Sequence, residues 1–262
     1  MRSKSAAFGA GTAIGILGGL IGLGGAEFRL PLLISLFKFH GLEAVILNKA
    51  ASLIVVATAL PFRARTVPIA EVGAHWPIMV NLLAGSLIGA YAGAAWATRL
   101  KSETLYRIIA VLLVLIAGIL LRAHDTAGGA APPLSGWSQV VAGVIAGFAI
   151  GVVASLLGVA GGEFLIPTLI LLFGTDVKLA GSLSLAVSLP TMLVGFARYS
   201  QDQSFGILNA NSWFLLAMAV GSVVGTFIGG LLLGIVPSAV LLPVLAAILI
   251  ISAIKIWRHS AK

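Results

Sequence analysis

Apolar residues gather in ten runs separated by short polar or glycine-rich joints: about 6–23, 27–37, 43–60, 77–98 and 104–121, then 138–158, 163–173, 179–196, 213–234 and 236–257. A hydrocarbon layer ~30 Å thick takes about 20 residues of helix, so the pattern predicts transmembrane helices. The runs that start at Glu27 and Glu163 have only eleven residues, roughly 16 Å of helix, and each is expected to be a half-helix. The joints before them, Gly22-Leu23-Gly24-Gly25 and Gly158-Val159-Ala160-Gly161-Gly162, are too rich in glycine to hold a stable turn and can bring backbone close to a ligand. Non-helical backbone at membrane depth is tolerated only where protein or a watery cavity covers it, so these breaks are expected to line a cavity.

The two short runs belong to a repeat. A shift of 136 positions lays Gly22–Phe37 over Gly158–Phe173 without a gap, and also pairs Ser52-Leu53 with Ser188-Leu189, Gly85 with Gly221, Gly89 with Gly225 and Gly93 with Gly229. The polar, Pro- and Gly-rich stretch 122–137 is the linker between a first transmembrane repeat, 1–121, and a second, 138–262. Each repeat is expected to contain a glycine-broken segment, a half-helix and about three further transmembrane helices. If the first two segments of each half return the chain to its starting side, each half crosses an odd number of times and the repeats are inverted. Ten Lys and Arg then lie inside (Arg2, Lys4, Lys38, Arg99, Lys101, Arg107, Arg198, Lys255, Arg258, Lys262) and four outside (Arg63, Arg65, Arg122, Lys178). Parallel repeats would divide the same residues nine to five, so the positive-inside rule favours inversion slightly and puts both termini in the cytoplasm.

Composition agrees: 60% of residues are hydrophobic and 9% charged, too few charges to cover a water-soluble surface. The fold class is therefore an all-α polytopic membrane protein whose first partner is the lipid bilayer. The net charge of +8 comes from basic residues scattered between apolar runs, a topology signal and no nucleic-acid surface. With no cysteine, and four histidines far apart in sequence, disulfide and Cys-ligated chemistry are excluded and no metal or other cofactor is expected. Arg2 and Lys4 before an apolar run have the form of a secretory signal peptide, but the internal copy of that run argues against cleavage.

Most carboxylates fall in loops or near segment ends. Glu27 and Glu163 instead stand at matching positions directly after the glycine breaks, where a charge costs at least ~2.5–3.5 kcal/mol. They read either as a proton-accepting pair, one from each repeat, or as first-turn carboxylates that cap their helices. Arg29, with Leu165 as its counterpart, could pair with Glu27, hold an anion bidentately, or snorkel. The N–H groups after Gly25 and Gly162 present partial positive charge, so the two half-helix starts and Arg29 describe an anion site. Gly24, Gly25, Ala26, Gly161 and Gly162 would line it. Asn48 with Ser52, and Ser184 with Ser188 at the matching positions, are further candidates, though such residues also serve as interhelical glue. Lys49, opposite Leu185, is a buried-charge candidate, and Arg63 with Tyr199 could form a rim gate or a membrane-edge anchor. The four-residue glycine spacings mark close helix packing, within one chain or in a homodimer.

The glycine break, the proline four residues after each glutamate (Pro31, Pro167) and their duplication resemble the TauE/SafE family of sulfite exporters over nearly the whole chain. The resemblance implies a secondary transporter of inverted repeats that moves sulfite, sulfonates or related small organosulfur or oxoanions, usually outward, coupled to an ion gradient. It makes Gly22–Pro31 and Gly158–Pro167 the substrate-lining elements. Many family members have an apolar residue where Glu27 and Glu163 stand, and Ala26 and Ala160 each replace a glycine in one copy. The expected function is export of a small anion coupled to protons through Glu27 and Glu163. A passive anion channel or a non-transporting membrane subunit is the alternative, and no residue pair at useful spacing supports an enzyme.

Overall fold

The computed structural model describes residues 3–21, 25–63, 67–122, 134–232 and 238–260. Among these residues the chain is helical, with no strand. The first half supplies α1 (Lys4–Ile21), α2 (Ala26–Ser35), α3 (Gly41–Arg63), the short α4 (Ile69–Ala74), α5 (Trp76–Ala97) and α6 (Ser102–Arg122). The second supplies α7 (Gly136–Leu157), α8 (Gly162–Phe173), α9 (Val177–Tyr199), a 3₁₀ turn at Gln203–Gly206 leading into α10 (Ile207–Ala210), α11 (Ser212–Leu232) and α12 (Ser238–Ser260). All ten apolar runs form helices. The short helices α4 and α10 lie in matching loops, where apolar run length carries no signal. Helix α6 includes Arg122 and α7 already includes Gly136 and Trp137, while linker residues 123–133 lie outside the described residues.

Five of the described helices, Gly41–Ala59, Trp76–Ala97, Gly136–Leu157, Lys178–Tyr199 and Ser212–Gly229, are long and apolar enough to cross a membrane. Large apolar side chains such as Ile88, Ile145, Phe227 and Ile251 point outward, while Glu27, Arg29, Asn48, Lys49 and Glu163 are buried. That distribution suits hydrocarbon outside and polar contacts within. The chain is an all-α polytopic membrane protein.

Helices from the two halves interlock. Helix α1 packs along α11, and α5 along α7. Glycines allow the approach: a methyl group at Gly89 would meet the Phe148 carbonyl, and one at Gly225 the Thr12 carbonyl. Residue numbers rise together along both seams, with Gly11 against Met218 and Gly15 against Gly225, then Gly85 against Val144 and Gly93 against Val152, so each pair runs parallel. The matching helices α3 and α9 run in opposite directions, since Lys49 reaches Gly195 and Tyr199 whereas Val56, further along α3, packs in a cluster with Met192.

The glycine breaks turn the chain back. Gln139, in the first turn of α7, donates to the Leu172 carbonyl near the end of α8 at 2.7 Å, so α8 returns alongside α7. In the first half, the Lys4 ammonium at the start of α1 lies 5.1 Å from the Trp213 ring, and Phe37, just past α2, packs edge-on against Phe214. The start of α1, the end of α2 and the start of α11 therefore share one face, called here the near face. Helix α3 leaves the same face, its Gly41 packed on Leu105 and Tyr106 near the start of α6. Helices α5, α9 and α12 run toward it, and α7 begins at the far face.

Candidate functional site

Each half-helix starts from a glycine in the left-handed region, Gly25 at φ 72° and Gly161 at φ 82°, which only glycine adopts without strain. Gly25 rests on the backbone of Ile14 and Gly161 against Ile150 and Ala154, halfway or more along the preceding helix. Ile14 lies ten residues into α1, so α2 begins about 15 Å from the near face, near the middle of a ~30 Å layer. Gly24, with Gly22 and Leu23, lies outside the described residues.

Glu27 and Glu163 occupy the first turns of α2 and α8, 1% and 5% exposed. Their carboxyl groups are neighbours, and the charges of Glu163 and Arg29 both act on Glu27. The two carboxyl groups lie within hydrogen-bond reach of each other and of their own main-chain N–H groups in the first turns, and no other donor among the described residues meets them. The glycine carbonyls also hold the first turns, accepting from Phe28 and Arg29 at 3.2 Å and from Phe164 and Leu165 at 3.1 and 2.9 Å. The N–H groups ahead of these have no intrahelical acceptor by position and add positive character beside the carboxyl pair.

Two residues apart on a helix, Arg29 and Glu27 point away from each other. The guanidinium reaches α3, where Nη1 donates to Ser52 Oγ at 3.1 Å and to the main-chain and side-chain oxygens of Asn48 at 3.4 Å. Its Nε and Nη2 have no partner among the described residues, although the residue is fully buried. Asn48 also donates from Nδ2 to the carbonyls of Ala26 and Leu157, both at 3.0 Å, and so ties the first turn of α2 to the end of α7. Ser52 Oγ donates to the Asn48 carbonyl at 2.7 Å. Arg29 thus neither snorkels nor bonds Glu27; it is held by neutral oxygens with two nitrogens uncommitted.

The matching residues of the second repeat build no equivalent. Ser184 donates to the Gly181 carbonyl of its own helix at 2.9 Å, and Ser188 is buried on α9. Leu165 replaces Arg29. The structure thus brings Ala26, Glu27, Arg29, Asn48, Ser52 and Glu163 into one buried cluster bounded by Gly25, Gly161 and Gly162. Tyr199, the last residue of α9, is fully buried, its hydroxyl donating to the Ser155 carbonyl at 2.9 Å. The Arg63 side chain lies outside the described residues. Ser155 is the residue the sequence reading overlooks. Its only signal there is a serine in an apolar helix opposite Gly19 of the first repeat. Among the described residues, no group of three or more His, Cys, Asp or Glu comes together to hold a metal ion.

Broken helices whose first turns bring together a buried carboxyl pair, with a buried guanidinium two residues on, are an arrangement that transporters use to hold charged substrates at membrane depth. The chain belongs to the sulfite exporter TauE/SafE family, whose model matches residues 7–256, and is accordingly a membrane transporter of sulfite or related anions. No curated protein and no solved structure matches it.

Proposed function

We propose that the protein exports a small sulfur-containing oxoanion by alternating access, coupled to protons carried by Glu27 and Glu163. The observation that carries this reading is the pair of nitrogens on fully buried Arg29 that have no partner among the described residues, two residues along α2 from a buried carboxyl pair. Nε and Nη2 lie on one edge of the guanidinium fork and suit two oxygens of a sulfite or sulfonate group. The carboxyl pair sits close enough to repel an arriving anion while ionised, and a proton taken up there relieves that repulsion. Anion and proton then bind together, which is the basis of coupling. The near-complete burial of Glu27, Arg29 and Glu163 supports a gated carrier over an open channel.

The opposed directions of α3 and α9, and the return of each glycine-broken pair to its own face, support inverted repeats. Three through-running helices in each half then exchange the faces to which the site opens. The near face holds Lys4, Lys38, Lys101, Arg107, Arg198 and Lys255, and by the positive-inside rule it is cytoplasmic. The test is sulfite flux in proteoliposomes with and without a pH gradient, compared with sulfate, chloride and a short alkyl sulfonate. Flux of sulfite or the sulfonate that the gradient drives is expected; flux indifferent to the gradient would reject proton coupling.

A further inference from the structure

A second buried charge lies outside the anion site. Lys49, next to Asn48 on α3, is fully buried and turns the other way. Its Nζ donates to Ser155 Oγ on α7 at 3.2 Å and lies 5.9 Å from the centre of the Tyr199 ring on α9. Ser155 Oγ donates in turn to the Ala90 carbonyl on α5 at 2.9 Å, and Tyr199 closes the cluster through its bond to the Ser155 carbonyl. Gly195 makes the room, since a Cβ there would stand 2.8 Å from both Lys49 Nζ and Ser155 Oγ. Four helices meet at one ammonium.

The cluster is where the two repeats differ. Lys49, Ser155, Gly195 and Tyr199 have Leu185, Gly19, Ala59 and Arg63 as counterparts, so the residue types of this knot are not repeated in the other half of the chain. Its depth is also informative. Lys49 lies eight residues into α3 from the near face, Ala90 seven residues before the end of α5, and Tyr199 is the last residue of α9. All of them lie in the near half. An ammonium held by a hydroxyl and a ring face, with no carboxylate in the cluster among the described residues, is fixed by weak contacts that can part without stranding a counter-charge.

We propose that Lys49, Ser155 and Tyr199 form a latch that holds the near face closed, with Lys49 as its positioning residue. The latch rests on the transporter reading for its purpose, because only a protein that opens to each face in turn needs one face fastened. The chain has no cysteine, so single reporters can be read without background. Val45→Cys probes a fully buried position one turn nearer the near face than Lys49, and Leu183→Cys a buried position in the far half of α9. In proteoliposomes exposed to an impermeant maleimide at one face at a time, Lys49→Met is expected to raise near-face labelling of Val45→Cys at least about fivefold, a population shift toward the open state. Leu183→Cys labelling should not rise. Tyr199→Phe, which removes only one hydroxyl, should act in the same direction and keeps the test usable if Lys49→Met does not fold. Unchanged labelling in the variants, or an equal rise at both reporters, overturns the latch. If the unsubstituted protein moves none of the tested anions, the coupled-transport reading fails while the labelling still decides the latch.

Discussion

Glu27 and Arg29 are separated by one residue, yet they serve different neighbours, because a two-residue step carries a side chain about 200° around a helix. Glu27 turns toward Glu163 on α8, and Arg29 toward Asn48 and Ser52 on α3. Different substitutions should therefore separate coupling from anion binding. Glu27→Gln and Glu163→Gln keep shape but cannot carry the proton; each is expected to leave anion flux that no longer responds to a pH gradient, read in proteoliposomes. Arg29→Lys keeps the charge but loses the planar fork, and should weaken anion binding at least about tenfold, or ~1.4 kcal/mol, by calorimetry on the solubilised protein. Sequence alone exposes Glu27, Glu163 and Arg29, since a charge after a glycine break in an apolar run stands out. It does not expose Ser155, whose partners Lys49 and Ala90 lie 106 and 65 positions away and become neighbours only when α3, α5 and α7 pack together.

At the scale of elements, run length and the 136-residue repeat made the ten main helices legible, because a segment that must bury its backbone in hydrocarbon has little choice but helix. Pairing was not legible, since lipid-facing and protein-facing sides are both apolar. The glycine spacings marked close-packed faces without naming the partner, and the structure assigns those faces to α1–α11 and α5–α7 within the chain. Gly89→Leu should drive a side chain into the Phe148 carbonyl and destabilise the fold by about 1–3 kcal/mol, visible as a lower melting temperature in detergent. Leucine at Gly118, where a Cβ meets nothing within 4 Å, is the control and should be nearly neutral. A left-handed conformation costs a residue with a Cβ about 1–2 kcal/mol, so Gly161→Ala should loosen the start of α8 and impair coupling before it impairs folding.

For the whole molecule, the direction of each helix decides what kind of machine it is. If α1 with α2, and α7 with α8, return to the faces they left, three crossings remain in each half and the second half passes through the bilayer in the opposite sense. Lys101, between α5 and α6, and Ser200, just after α9, then share the near face, while Lys178, at the start of α9, lies opposite. If each glycine-broken pair instead made one crossing, Lys101 and Lys178 would share a face and Ser200 would lie opposite. All three side chains are exposed, and the cysteine-free chain accepts a single reporter at each. Labelling of intact cells and of inverted vesicles with an impermeant maleimide should group position 101 with position 200, on the cytoplasmic side that the basic residues favour. Grouping of 101 with 178 would leave the buried carboxyl and guanidinium cluster in place but remove the inversion by which one site can be offered to two faces in turn.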